Sequence, residues 1–336
     1  MAATIKDVAK ETGLAISTIS KYMNGGMVRP KNKKIIDEAV KKLGYSPNSL
    51  ARGLRSARTY TVGVLISNME GAYGAKLVHY LEQNLQMMGY ALILCCHKDS
   101  PEMAEEYVDF LCEQMVDGII VTNFVTSVDY LKQARERQIP LVAVEALNAY
   151  MDMDLVQVDS ATSSYELVEH LIRQGHRDIG VIKGPADWKS AQERLKGFYR
   201  VMEDYELPVK EEFLVDGDFE QESGYAGIEK LWSLEKRPTA VFITNYYMCM
   251  GAVRAIEDLK IQVPEELSVV SFDEHTLSRW FRPGLTTVEQ PLEEMAREAC
   301  IILKKRIEEK KPLESERIRL KARVHYRDSV KKISRN

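Results

Sequence analysis

Apolar positions in the first 45 residues recur at helical spacing. Ile5, Val8, Ala9 and Thr12 fall at i, i+3, i+4 and i+7, and Thr4 with Asp7 makes a capping-box-like start, so the pattern predicts a helix that stops at Gly13. From Leu14 to Gly26 the helical phase separates an inward set (Leu14, Ile19, Met23) from an outward set (Ile16, Ser17, Ser20, Lys21), predicting a short helix ended by Gly25-Gly26. A third stripe, Ile35, Ile36, Ala39, Val40 and Leu43, leaves Lys33, Lys34, Lys41 and Lys42 off it and ends at Gly44. Three short helices with a tight glycine turn between the first two describe a helix-turn-helix. Periodicity alone leaves open a plain helical bundle with a solvated lysine face. The outward set, small hydroxyls beside a lysine and one Ile, suits base edges and phosphates better.

Beyond Thr61 short apolar runs alternate with helical stretches. The runs cover 62–67, 91–95, 118–121, 141–144 and 155–158, then 179–182, 212–215, 240–243 and 267–272. Buried β runs spaced by helices predict βαβ units, here two doubly wound parallel-sheet halves. A helical stretch at 291–310 and a last strand-like run from Arg317 to Val324 follow. A chain that crosses back between halves builds a hinged body whose ligand lies between the carboxyl ends of the strands. The expected fold is therefore an N-terminal all-α head on an α/β body.

Charge sharpens this division. The whole chain of 336 residues carries a formal −4, which argues against a polyanionic partner. Residues 1–58, however, hold twelve Lys and Arg against Asp7, Glu11, Asp37 and Glu38, a balance of +8 that leaves −12 for the rest. A basic end joined to an acidic body points to nucleic-acid binding by the head alone.

The strings TIKDVAKETGLAISTISKYMNGG and KKLGYSPNSLARGLRS resemble the DNA-binding head and hinge of the lactose-repressor/purine-repressor (LacI/GalR) family of bacterial transcription regulators. The resemblance implies that Ile16 and Ser17 read base edges in the major groove, with Thr18 and Lys21 beside them. It assigns Ser20, Asn24 and Tyr45 to phosphates, and Thr4, Asn48 and Ala51 join the DNA-facing set. Two positions depart from the pattern: Ala15 replaces the usual Ser or Thr at the start of the recognition helix, and Lys21 stands where Arg or His is common. The stretch Pro47 to Arg58 resembles the family hinge, a helix formed when two copies meet in the minor groove. Gly53 weakens that helix in isolation. Leu54 matches the leucine wedged between base steps, and Arg55 suits the potential of a narrowed minor groove.

The resemblance continues through LIRQGHRDIGVIKGP, GDFEQESGY, RPTAVFITN, VPEELSVVSFDE and PGLTTVEQP, signatures of an effector-binding body similar to periplasmic sugar-binding proteins. It implies a head at 1–46, a hinge at 47–59, one half of the body at 60–160 with 290–318, and the other at 161–289 with 319–336. Arg194 and Asp273 match the family's cleft arginine and its acidic partner, and Asn245 matches an amide that reads sugar hydroxyls. Tyr73 and Phe219 occupy aromatic positions, while Glu145, Trp188 and Ser190 fall where ligand-selecting residues vary. Each has a structural counterpart: Arg194 and Asp273 as a plain ion pair, Phe219 as core. Tyr246 stands where most relatives carry Asp. Trp280 and His176 are expected to be structural, and the Met-rich runs at 151–154 and 246–250 are expected to serve packing and not metal binding.

No G-x-S-x-G, P-loop, G-x-G-x-x-G or H-E-x-x-H pattern occurs, so no catalytic constellation is expected. Five cysteines at these spacings imply neither a disulfide framework nor a zinc site, and no cofactor or metal is expected. No apolar run approaches the roughly 20 residues that span a bilayer, and the N-terminus has no secretory h-region, so a cytoplasmic protein without membrane contact is expected. The expected molecule is a homodimeric repressor on a pseudo-palindromic double-stranded operator, switched by a small polar effector, a sugar or sugar derivative. A phosphocarrier protein or a purine-type ligand as corepressor is the alternative. The residues after Arg327 lack a leucine heptad, which argues for no assembly above the dimer.

Overall fold

The computed structural model describes residues 3–23, 26–45, 58–67, 69, 71–98, 100–122, 129–145, 153–309 and 314–333. They form two compact units, one up to Tyr60 and one from Thr61 onward. The predicted positions Asn24, Asn48, Ala51, Leu54 and Arg55 lie outside the described residues.

The first unit contains α1 (Ile5–Thr12), α2 (Ile16–Met23) and α3 (Pro30–Leu43). Asp7 accepts hydrogen bonds from the Thr4 N–H at 2.8 Å and hydroxyl at 2.7 Å, so the carboxylate closes the first turn, and these bonds hold its pKa down. Gly13 and Gly44 end α1 and α3 in the left-handed conformation that glycine adopts without strain. Val8, Ile19, Ile36 and Ala39 form the core, with Leu14, Met23, Leu43 and Tyr45 packed around it.

The second unit runs β1 (Thr61–Ile66), α4 (Ala72–Met87), β2 (Ala91–Cys96), α5 (Pro101–Glu113), β3 (Gly118–Thr122), α6 (Lys132–Glu136), β4 (Leu141–Val144) and β5 (Asp154–Val158). It continues with α7 (Ser160–Arg173), β6 (Ile179–Ile182), α8 (Lys189–Asp204), β7 (Leu214–Val215), α9 (Gln221–Ser233), β8 (Ala240–Ile243), α10 (Tyr246–Asp258) and β9 (Ser268–Phe272). The chain closes with α11 (Thr276–Trp280), β10 (Thr286–Glu289), α12 (Leu292–Glu308), β11 (Arg317–Leu320) and β12 (Arg323–His325). One sheet has the order β11-β5-β4-β3-β1-β2, the other β12-β10-β9-β8-β6-β7. All pairings are parallel except β10 with β12.

Both faces of the first sheet are covered, which is why its strands read as unbroken apolar runs. Gly63 leaves room for Leu111 of α5 on one face, and Gly118 leaves room for Leu303 of α12 on the other. The chain passes between the halves after β5, after β10 and after β11.

Three expectations change. The run 317–324 is two strands, one in each sheet, so the crossing follows Leu320 and not residue 318. The run 212–215 begins as a 3-10 turn at Glu211–Phe213, and only Leu214 and Val215 pair with β6, because this is the short outer edge of the sheet. Thr286–Glu289 is a further strand between β9 and β12. No helix among the described residues is long and apolar enough to cross a membrane.

Candidate functional site

In the head, Ile19 is fully buried while Ile16, at 39% exposure, stands with Ser17 and Lys21 on the outer face of α2. Thr18 and Ser20 are half-buried, and Thr4 is exposed. Ala15 offers no capping side chain; its carbonyl accepts the Thr18 and Ile19 N–H groups at 2.9 and 3.2 Å and starts the helix through backbone alone. Tyr45 packs on the head core and keeps partial exposure. Three of the four acids of this unit are engaged internally: Glu11 pairs with Lys42 at 2.6 Å, Asp37 accepts from the Tyr22 hydroxyl at 2.6 Å, and Asp7 caps α1, while Glu38 is exposed. The other lysines therefore present their charge uncompensated by these three acids, as phosphate contact requires.

In the body, one cavity of about 690 Å³ brings together all eight residues singled out for an effector: Tyr73, Glu145, Trp188, Ser190, Arg194, Phe219, Asn245 and Asp273. Parallel strands set their carboxyl ends on one side, and Glu145 directly follows β4, Asp273 directly follows β9, and Asn245 follows β8 after the single intervening Thr244. Glu145, Phe219 and Asp273 all have positive φ (55°, 69° and 73°), a left-handed backbone that side chains seldom adopt and that clusters at functional sites.

Arg194 is the hub. It is 5% exposed; Nη1 donates to the Thr244 carbonyl at 2.6 Å and to Asp273 Oδ2 at 3.3 Å, and its guanidinium lies 3.9 Å from the centre of the Phe272 ring. Gln290 Nε2 donates to Asp273 Oδ1 at 2.5 Å. The Arg194–Asp273 ion pair is thus present, and three buried polar atoms beside it, Tyr73 Oη, Arg194 Nε and Gln290 Oε1, have no hydrogen-bond partner among the described residues. Buried polar atoms are costly to leave unmet, so these are places a ligand would complete.

Asn245 is already occupied in positioning. Its Oδ1 accepts from the Met248 N–H at 2.9 Å and caps α10, while Nδ2 donates to the Phe219 carbonyl at 3.1 Å. That second bond fixes the Phe219 turn, and the Phe219 ring meets Trp188 edge to face at 5.6 Å. Phe219 is therefore both core contact and cavity wall. Glu145 is 5% exposed; burial pushes its carboxyl up to about 7, against the lowering effect of the Val158 N–H at 2.5 Å and of Arg194. Burial and then the Glu145 charge raise the Tyr73 hydroxyl well above its usual value, so it stays protonated.

Two family models match the chain: "Bacterial regulatory proteins, lacI family" over residues 4–48 and "Periplasmic binding protein-like domain" over 168–330. The chain is 36% identical over 332 residues to the "HTH-type transcriptional repressor PurR" of Proteus mirabilis, covering 98% of this chain and 97% of that one. The chain belongs to the lacI family. This lacI-family protein is a DNA-binding transcriptional repressor, and the family is one of regulators, not enzymes. Its fold is similar to that of a CelR–cellobiose complex (TM-score 0.75, 27% identity, 97% of this chain and 99% of that one). It is similar as well to the lac repressor dimer bound to operator and an anti-inducer (TM-score 0.84, 22% identity, 98% and 100%).

The repressor's cavity also holds residues that the sequence did not disclose, Gln290 and His275 among them, and Tyr246 and Tyr247 of the run 246–250, expected to pack, line it as well. Gln290 directly follows β10, so the strand-end rule finds it once that strand is recognised. Tyr246 stacks on His275 with centroids 4.4 Å apart. His176 is structural: its ring joins Thr239 Oγ1 at 2.9 Å and the Lys331 carbonyl at 3.2 Å, and burial lowers its pKa to about 4. Met248 and Met153 belong to cores. Trp280, expected to be structural, is 68% exposed on the short helix α11.

Proposed function

We propose that the repressor acts as a homodimer on a pseudo-palindromic operator and is switched by a small polar effector, a sugar or sugar derivative, in the cleft between the two sheets. The observation that carries this reading is the convergence of eight residues and three unmet polar atoms on one cavity. Aromatic walls at Trp188 and Phe219 suit the apolar face of a sugar ring, and Arg194, Asp273 and Gln290 suit its hydroxyls. The similar CelR structure is a cellobiose complex, which supports the same class. Each head would read one half-site through Ile16, Ser17 and Lys21, and residues 47–59 would join head to body, with Leu54 as the minor-groove wedge. Effector binding would favour one arrangement of the halves and so change the hinge spacing.

Selection of duplexes from a random pool with the full chain is expected to return a two-fold symmetric site. On that duplex, anisotropy titrations with sugars, purines and a phosphocarrier protein should show a response to a sugar. Asp273→Ala is expected to keep duplex binding and lose that response. An unchanged response, or a response to the phosphocarrier protein alone, overturns the cleft reading.

A further inference from the structure

The charges around the cavity interior do not balance. Two carboxylates, Glu145 and Asp273, face it at the strand ends, and the one buried cation beside them among the described residues, Arg194, already serves Asp273 and the Thr244 carbonyl. Arg319, which also acts on Glu145, lies 3.8 Å from Asp159. Other cations in the lining are engaged or exposed: Lys189 pairs with Glu193, Arg297 with Glu294 and Glu298, and Lys321 with Glu166, while Lys76 and Arg323 are exposed. Among the described residues the Glu145 carboxylate accepts one hydrogen bond, from the Val158 N–H, and has no ion-pair partner.

A buried carboxylate in this position has two ways to avoid its desolvation cost: it keeps its proton, or it receives a positive charge from elsewhere. A phosphate or carboxylate ligand would add to the imbalance. A neutral polyol would leave it unchanged. A protonated nitrogen removes it, and its remaining N–H groups find acceptors at Gln290 Oε1 and Tyr73 Oη, both buried and unmet. The Trp188 and Phe219 rings add faces that attract a cation.

We infer that the effector carries a protonated nitrogen on a polar ring or polyol, as in an amino sugar, and that Glu145 is the residue that selects it. This rests on the cleft being the effector site. Glu145 stands on a left-handed backbone held by two bonds to β5, its N–H to the Val156 carbonyl at 2.9 Å and its carboxylate from the Val158 N–H, so the group is fixed before any ligand arrives.

The test is calorimetry of the full chain at pH 7 against matched sets. These are D-glucosamine, D-glucose and D-glucose 6-phosphate, the corresponding galactose and mannose sets, and N-methyl-D-glucamine, sorbitol and gluconate. In at least one set the amine is expected to bind at least about tenfold tighter than its neutral and anionic counterparts, the loss of one well-placed charge pair being about 1.4 kcal/mol or more. Glu145→Gln should reduce that preference below about twofold while circular dichroism stays unchanged, with Glu145→Ala as the second variant. A neutral or anionic member binding tightest, or a preference that survives both variants, overturns the inference and leaves the cleft reading standing. If no member of any set binds, the cleft reading itself falls and takes this inference with it.

Discussion

Glu145→Gln offers a quantitative check that needs no ligand. Burial raises the native carboxyl from 4.5 to about 7, whereas in the unfolded chain it titrates near 4.5. Between these values the native state holds the extra proton, so the contribution of Glu145 to stability is fully present below pH 4.5 and is lost as pH rises through 7. At about 1.4 kcal/mol per tenfold change in proton affinity, the difference amounts to about 3 kcal/mol. Glutamine keeps an acceptor for the Val158 N–H and cannot ionise. Urea unfolding followed by tryptophan fluorescence reports the body alone, because Trp188, Trp232 and Trp280 all lie beyond Thr61. His176, held down to about 4 by burial, acts with the opposite sign: its contribution is present above about pH 6.5 and lost as pH falls through 4. It is common to both proteins and cancels in the difference. The stability of the variant relative to the parent is expected to rise by about 3 kcal/mol from pH 4.5 to pH 8. A difference that stays constant across this range refutes the burial argument for Glu145.

Gly251→Ala should lower body stability by about 3 kcal/mol, measured by urea unfolding, because a Cβ there would lie 1.7 Å from the Gln221 carbonyl and force α9 and α10 apart. An unchanged midpoint would show that the helices can separate freely. Lys21→Ala should weaken binding to all duplexes and reduce the slope of log K against log salt by about 1 if the lysine meets a phosphate. A sequence-specific loss with the slope intact would place Lys21 at a base edge instead. Leu54→Ala is expected to weaken specific binding far more than non-specific binding in parallel anisotropy titrations, and equal losses would remove its role as a wedge.

How much of this was legible in the sequence depended on whether a residue's burial was local or imposed from afar. The head was readable because its core residues Val8, Ile19, Ile36 and Ala39 sit at helical spacing with polar neighbours between them. The parallel strands were readable because burial on both faces requires continuous apolar runs. Thr286 and Thr287 are fully buried yet polar, so β10 carried no such signal. Their hydroxyls are satisfied by the Arg327 carbonyl and by Glu274, partners that only the folded chain supplies. The run from Arg317 to Val324 has strand character throughout, and nothing local marks Lys321 and Ala322 as the point where it changes sheets. Trp280, expected to be structural because the resembling family tolerates many residues there, is exposed, and no local pattern marks it so.

The cleft residues were legible as positions after strands, but not their mutual dependence. A non-glycine residue with positive φ costs about 1–3 kcal/mol and persists only where its surroundings hold it. Phe219 is held by Asn245, Glu145 by the backbone of β5, and Asp273 by Arg194 on one side and Gln290 on the other. Gln290 belongs to the connection from β10 to α12, one of the three passages between the halves. A ligand that competes with Gln290 for Asp273 therefore acts on a strained residue and on a chain crossing at once. A ligand confined to the Trp188 and Phe219 walls meets the strained Phe219 but neither Asp273 nor a chain crossing. Differential contact of this kind is what separates an effector from a molecule that merely occupies the cavity, since only a difference in binding energy between two arrangements shifts their populations.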